Sequence, residues 1–347
     1  MQQKESRNSE DGMNMGTTLG GPSAALASDR FDGPRCTTEQ KRVQRIYRGR
    51  VWRYARRVIR YETKDWLRTV LQFRGTVLPR VIGRTVAVAV ISAVALVISR
   101  ETTHNLAIPA TAHAMVGVAL GLLLVFRTNA SYGRFWEGRI LVGGVVNNCR
   151  DLARQSSAYM RHLPDEERRK LAGWIAGFAA LASAGLREEP TDTVTGGLFS
   201  DEEAAELSTA EAPTLVVSRW LTEFFVAEAD AGRLDEVRLR TLDTAVSDLV
   251  DKWGGCERIL RTPVPFAYAH HIKSFLTIFC FTAPLTMIGP MGWYAPLAGA
   301  VVAFGLYGID EIGVEIEDPF GRDANDLPLD DIVDELTRNV RESLRVS

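Results

Sequence analysis

Apolar residues in this chain come in long blocks with the charge pushed between them. Ala87 to Ser99 is almost wholly apolar, and the run reaches back to Val81 past one interruption at Arg84. Leu78-Pro79 precedes it, and proline suits a first helical turn, where its missing N–H is no loss. Leu106 to Phe126 contains no Asp, Glu, Lys or Arg, and Ser274 to Ile309 contains none either. At 1.5 Å per residue, about 20 residues cross ~30 Å of hydrocarbon. Gly289, Pro290 and Gly292 in "MIGPMGW" predict a tight turn that folds the last run in two. The pattern therefore predicts four spans, at about 81–99, 106–126, 269–288 and 293–309.

The segments between the spans are patterned as ordinary helices. "LAGWIAGFAALASAG" (Leu171–Gly185) has the length of a buried core helix and is placed outside the membrane. Thr222 to Cys256 is predicted helical, with Leu234, Val237, Leu242, Val246, Leu249 and Trp253 at core spacing. Residues 188–214 are acidic and turn-rich, and Ser200 followed by Glu203 predicts a capping box. Val43, Ile46, Tyr47, Val51, Tyr54, Val58 and Tyr61 recur at three and four, a helical stripe among arginines. Strand signals are nearly absent, so the expected class is an all-α membrane protein. Residues 1–40, rich in Gly, Ser, Asn and Thr and without an apolar run, are expected to be a disordered tail with no signal peptide. Residues 341–347 form a short C-terminal tail. No internal repeat of the inverted-transporter kind is visible.

Charge gives the orientation. A net charge of −2 suggests a soluble protein, but the average hides a segregation. Thirteen Lys or Arg lie between Lys41 and Arg80, against Glu62 and Asp65 alone. Arg127, Arg134 and Arg139 follow the second span, while the loops at about 100–107 and 289–292 carry little charge. By the positive-inside rule both termini, the 127–268 connection and residues 310–340 are cytoplasmic, in a multi-pass protein of the cell membrane. Arginine–aromatic interleaving before a span is a flank at anionic headgroups, so no nucleic acid is expected. Cys36, Cys149, Cys256 and Cys280 are scattered, with neither metal nor disulfide spacing.

One junction stands apart. In "GLLLVFRTNASYGRFWEGR" (Gly121–Arg139) an apolar helix meets Arg127, Thr128 and Asn129 with no proline or glycine stop. Val118, Leu122 and Phe126 sit four apart, drift only ~40° per step and line one face, with His113 off it. Such a face can meet lipid or line a pore. Continuation past the interface favours a helix that leaves the membrane and runs on beside a water-filled vestibule.

These residues also carry a resemblance. "LLVFRTNASYGRFWEGR" is similar to the second-span signature of the bestrophin family. "FRGTVLPR" (Phe73–Arg80), "GCERILRTPVPFAY" (Gly254–Tyr268) and "YGIDEIGVEIEDPFGRDANDLPLDDI" (Tyr307–Ile332) agree with it in order, over residues of about 40–340. The resemblance implies a homopentameric channel with one pore on the five-fold axis, an apolar neck at Val118, Leu122 and Phe126, and membrane lipids and small inorganic ions as its other partners. The family usually has Ile or Phe at the first two neck positions, so Val118 and Leu122 are departures. A second constriction at the cytosolic exit is implied within Ile259–Pro265, with Ile259 and Thr262 as candidates. Animal members carry a calcium clasp on an acidic run after the PFG motif. Here Asp323 and Asp326 match two of its positions, but Arg322, Ala324 and Asn325 break it, so no cofactor is expected to be required. "LPLDDIVDEL" is expected to begin another helix with acids in its first turn.

The function implied is passive conduction of small anions, chloride foremost. A monovalent-cation channel is the alternative within the class. "DANDLPLDD" raises a second class, a Mg²⁺-dependent intramembrane prenyl transferase, but that chemistry needs two converging acidic motifs and one exists. No P-loop, HExxH or Ser/His/Asp arrangement is present, so the expectation is that the chain is no enzyme.

Overall fold

The computed structural model describes residues 70–73, 75–102 and 108–346. The expected tail (1–40), the helical stripe of 43–61 and most of the 100–107 loop lie outside them. Among the described residues there is no β-strand, only an isolated bridge between Gly196 and Phe199. The helices are α1 (Leu78–Glu101), α2 (Ala110–Tyr159), α3 (Asp165–Leu186), α4 (Asp192–Thr195), α5 (Asp201–Thr209), α6 (Pro213–Asp230), α7 (Glu236–Arg261), α8 (Phe266–Met291), α9 (Ala295–Glu315) and α10 (Leu329–Ser343).

Three stretches are long and apolar enough to cross a membrane: α1, α2 and the run from Phe266 to Glu315. The third is bent back on itself. Gly292, with φ 52°, opens a single 3₁₀ turn over Gly292–Tyr294, and α9 returns along α8. Gly299 packs so closely on Pro284 that a Cβ there would lie 2.6 Å from the proline ring. The turn thus falls at Gly292 alone, while Gly289 and Pro290, expected in it, stay in the last turn of α8. Val81, Val88, Leu120, Leu124, Ile272, Leu276, Ala303 and Tyr307 form the apolar core that joins α1, α2, α8 and α9.

A larger core lies beyond Arg127. The α3 helix is its centre, buried from Leu171 to Ala182 without a break, as its composition predicts. Leu152, Leu221, Phe225, Leu242, Leu249 and Leu336 pack around it from α2, α6, α7 and α10. The capping box forms as predicted: Ser200 Oγ accepts from Glu203 N–H, and Glu203 accepts from Ser200 N–H. The helix expected over Thr222–Cys256 is two helices. The chain breaks at Gly232, whose φ of +72° favours glycine, and Asp235 caps α7 by accepting from Arg238 N–H.

The α2 and α7 helices run antiparallel for most of α7. Gly255 lies against Leu141, Gly144 against Lys252, and Glu137 accepts from Arg258 at 2.7 Å. Arg134 meets the upper end of α7, and Tyr159 meets Arg238 at the lower end. This register fixes the depth of every candidate below the membrane.

Candidate functional site

α2 is one helix of 50 residues with no proline in it. Among its exposed positions one line runs at three- and four-residue spacing, through Thr111, Met115, Val118, Leu122, Phe126, Asn129, Gly133, Trp136 and Ile140. Val118, Leu122 and Phe126 are 77%, 54% and 56% exposed. Opposite them, Leu120, Leu124, Arg127 and Ser131 are buried. The three residues expected at the neck therefore share one face that the described residues leave uncovered. Gly117 is where α2 approaches α8, since a Cβ would lie 3.1 Å from the Phe279 ring, whereas Gly121 faces open space. His113 lies off the exposed face, with Nε2 3.2 Å from Thr282 Oγ1.

The helix enters polar ground without a break because its arginines turn toward the other helices. Arg127 is 2% exposed, and its Nη1 donates to Asp310 of α9 at 2.5 Å, with Glu317 at 3.8 Å. Two turns on, Arg134 donates to three backbone carbonyls: Thr262 at 2.5 Å, Ile259 at 2.7 Å and Glu317 at 3.2 Å. Glu317 in turn accepts from Val264 N–H at 3.1 Å, closing the link between α7 and α8. On the far side of α9, Arg84 pairs with Glu311 at 3.2 Å, and Arg80 reaches Asp323 at 3.1 Å. Asp310, Glu311, Glu315, Glu317 and Asp323 of the acidic tail thus face the arginines that flank the first two spans.

Sequence reasoning missed the Arg127–Asp310 pair, though a signal existed. Arg127 is the first charge after the second span and Asp310 the first after the long uncharged run. Opposite charges at the same depth of two adjacent spans are natural partners.

Of the two residues expected at the exit constriction, Ile259 is buried and Thr262 exposed. Ile259 is 4% exposed and packed in the large core, so its side chain cannot line a water-filled exit. Thr262 is exposed and lies level with Arg134, about 12 Å along α2 from Phe126. Val237, in the first turn of α7, is 76% exposed. Its helical spacing had placed it in the core with Leu242 and Val246, which are buried. Being level with Tyr159, it lies ~50 Å along α2 from Phe126.

Asp323 and Asp326 serve the turn between α9 and α10. Asp326 is buried and accepts from Asp323 N–H at 2.6 Å, while Asp323 faces Arg80. Burial, with Asp323, Asp318 and Glu315 nearby, pushes the Asp326 carboxyl up to about 6. Gly321 makes room for it, since a Cβ there would lie 2.7 Å from Asp326 Oδ2. Among the described residues no three Asp, Glu, His or Cys side chains converge as a metal cluster. Cys256 is likewise structural, its thiol pushed up to about 12 by burial and by Glu137.

Comparison with known proteins agrees with this arrangement. The sequence profile described as Bacterial/Fungal Bestrophin protein matches residues 57–342. A voltage-dependent anion channel-forming protein of Nostoc sp. is 36% identical over 287 residues, covering 82% of this chain and 93% of that protein. A protein of the same description from Synechocystis sp. is 33% identical, covering 81% and 92%. The fold is similar to that of a bacterial bestrophin homologue from Klebsiella pneumoniae, with a TM-score of 0.72 and 26% identity over 77% of this chain and 99% of that one.

Proposed function

The chain belongs to the bacterial and fungal bestrophin family, a family of membrane channels and not of enzymes, and from that premise we propose that it conducts small anions passively, chloride among them. The prenyl transferase alternative is set aside with the enzyme class. Four spans enclose the proposed path, with both termini on the cytosolic side and five copies around one axis. The proposed channel unit covers residues of about 41–340. Lipids cover the outer faces of α1, α8 and α9.

The observation that carries this reading is the exposed line along α2. A stripe that met only lipid would end where the hydrocarbon ends. This one passes Phe126 and continues through Asn129, Gly133 and Trp136 without burial. Val118, Leu122 and Phe126, repeated five times, make an apolar neck that gates by dewetting or passes ions whose hydration is easily shed. Val237, at the cytosolic end of the same path, takes the place proposed for Ile259 or Thr262 as the second constriction. Asp323 and Asp326 act as structural carboxylates, and calcium is not required.

Reconstituted protein under a NaCl gradient tests the ion. A reversal potential displaced toward the chloride equilibrium value is expected, and displacement toward the sodium value would transfer the reading to the cation alternative. Leu122→Ala or Phe126→Ala is expected to raise single-channel conductance or relax gating; unchanged records in both sink the neck. Flux is expected to be indifferent to a calcium chelator and to Asp323→Ala.

A further inference from the structure

The cytosolic end of α2 borders a cavity of about 480 Å³ that conduction does not use. The last turns of α2, the start of α3 and the end of α10 meet there. Its polar lining is Arg154, Arg161, Arg168 and Arg345 with the hydroxyls of Ser157 and Ser343, and no acidic residue lines it. Arg154 is braced by Asp151, to which it donates at 2.8 and 3.2 Å. Arg168 donates to the backbone carbonyl of Arg161 at 2.8 Å. The guanidinium groups of Arg161 and Arg345 have no hydrogen bond or ion pair among the described residues.

Some positive charge belongs here for structural reasons, because α2 and α10 both end at the cavity. Each helix C-terminus carries about half a negative charge. Asp151 and the two helix ends together answer about two of the four arginines, which leaves about two positive charges unmatched. Arg345 adds an independent observation. It is one of two non-glycine residues with positive φ among the described residues, at 57°. Arg345 N–H donates to Glu342 O at 3.0 Å and Val346 N–H to Arg341 O at 2.9 Å, a helix ending that favours glycine at this position. An arginine there accepts left-handed backbone and places a cation on the cavity wall.

We propose that this cavity binds a doubly charged oxyanion, either inorganic phosphate or the terminal phosphate of a phosphate ester. Arg161 and Arg345 offer planar forks matched to phosphate oxygens, and the two serine hydroxyls donate beside them. Arg154 and Arg168, already braced, fix the rim. The volume exceeds what one phosphate needs and leaves room for the organic part of an ester. The site lies about 40 Å along α2 from Phe126, so it is separate from the neck.

The test uses the full-length protein in detergent, titrated calorimetrically with inorganic phosphate and, separately, with ATP, in chloride-matched buffer. Saturable binding that weakens with added NaCl is expected. Equal affinity for the two probes identifies free phosphate as the ligand class, and at least tenfold tighter ATP binding identifies an ester. R161A/R345A is expected to lose at least tenfold in affinity, while R169A, exposed and outside the cavity, keeps it. R345G is expected to hold or raise the melting temperature while weakening binding, which a purely structural arginine would not do. Three results would overturn the proposal: no saturable binding of either probe, R161A/R345A binding like the wild type, or a double variant that alters only the sedimentation of the assembly. Binding is read without flux, so failure here leaves the channel reading untouched.

Discussion

Arg127 and Asp310 are each 2% exposed, and neither charge has water to fall back on. Removing one partner strands the other, which costs roughly 3–5 kcal/mol, whereas replacing both with apolar residues of similar volume is often neutral. Asp310→Ala should therefore lower the melting temperature sharply, and the double variant R127M/D310L should recover most of the loss. A double variant as unstable as the single would mean that the pair stabilises through more than mutual neutralisation. Asp326 gives a pH-dependent case. Its folded carboxyl titrates at about 6 against an ordinary 3.8, so the folded state holds the proton more tightly. The stability this contributes is full below about pH 4 and is lost as pH rises through 6, on the order of 3 kcal/mol. Asp326→Asn keeps the acceptor for Asp323 N–H and should remove that fall, measured as the wild-type minus variant difference in unfolding free energy between pH 4 and 7.

Between elements, the contacts that matter most are a few side chains that fasten one helix to the end of another. Arg134 holds the last carbonyls of α7 and the end of α9 at once, so Arg134→Ala should loosen residues 259–266. Hydrogen exchange there should quicken while α3 stays protected; uniform exchange would show that the link is held by other means. Gly138 sets how closely α2 meets the turn after α9, because a Cβ would lie 2.9 Å from Pro319 and 3.1 Å from Phe320. Gly138→Val should cost about 1–3 kcal/mol by overpacking, read by denaturant unfolding. The helices themselves were legible, since long apolar runs and a 3.6 period are local signals. Their ends were less so. Gly232 interrupts a pattern that reads as continuous, and Val237 keeps core spacing while sitting in the first turn of a new helix. Periodicity reports which face a residue shares, and only packing decides whether that face is covered.

For the whole molecule, the uncovered line on α2 asks for copies of itself. Native mass measurement in detergent is expected to give five chains, and a monomer or dimer would remove the central path. The shared exposed face of Val118, Leu122 and Phe126 was readable from spacing together with a family motif, since both are properties of one short segment. The exposure and depth of Val237 were not, because they depend on the antiparallel register of α2 and α7, set by contacts about a hundred residues apart in sequence. The unbroken α2 has one more consequence, a mechanical one. Fifty residues make a rod ~75 Å long with no proline to bend it. A tilt of ~3° about one end carries the other through ~4 Å, comparable to the width of an apolar side chain. Phe126 lies ~50 Å along this rod from Tyr159, so the same tilt about the Tyr159 end moves it ~3 Å.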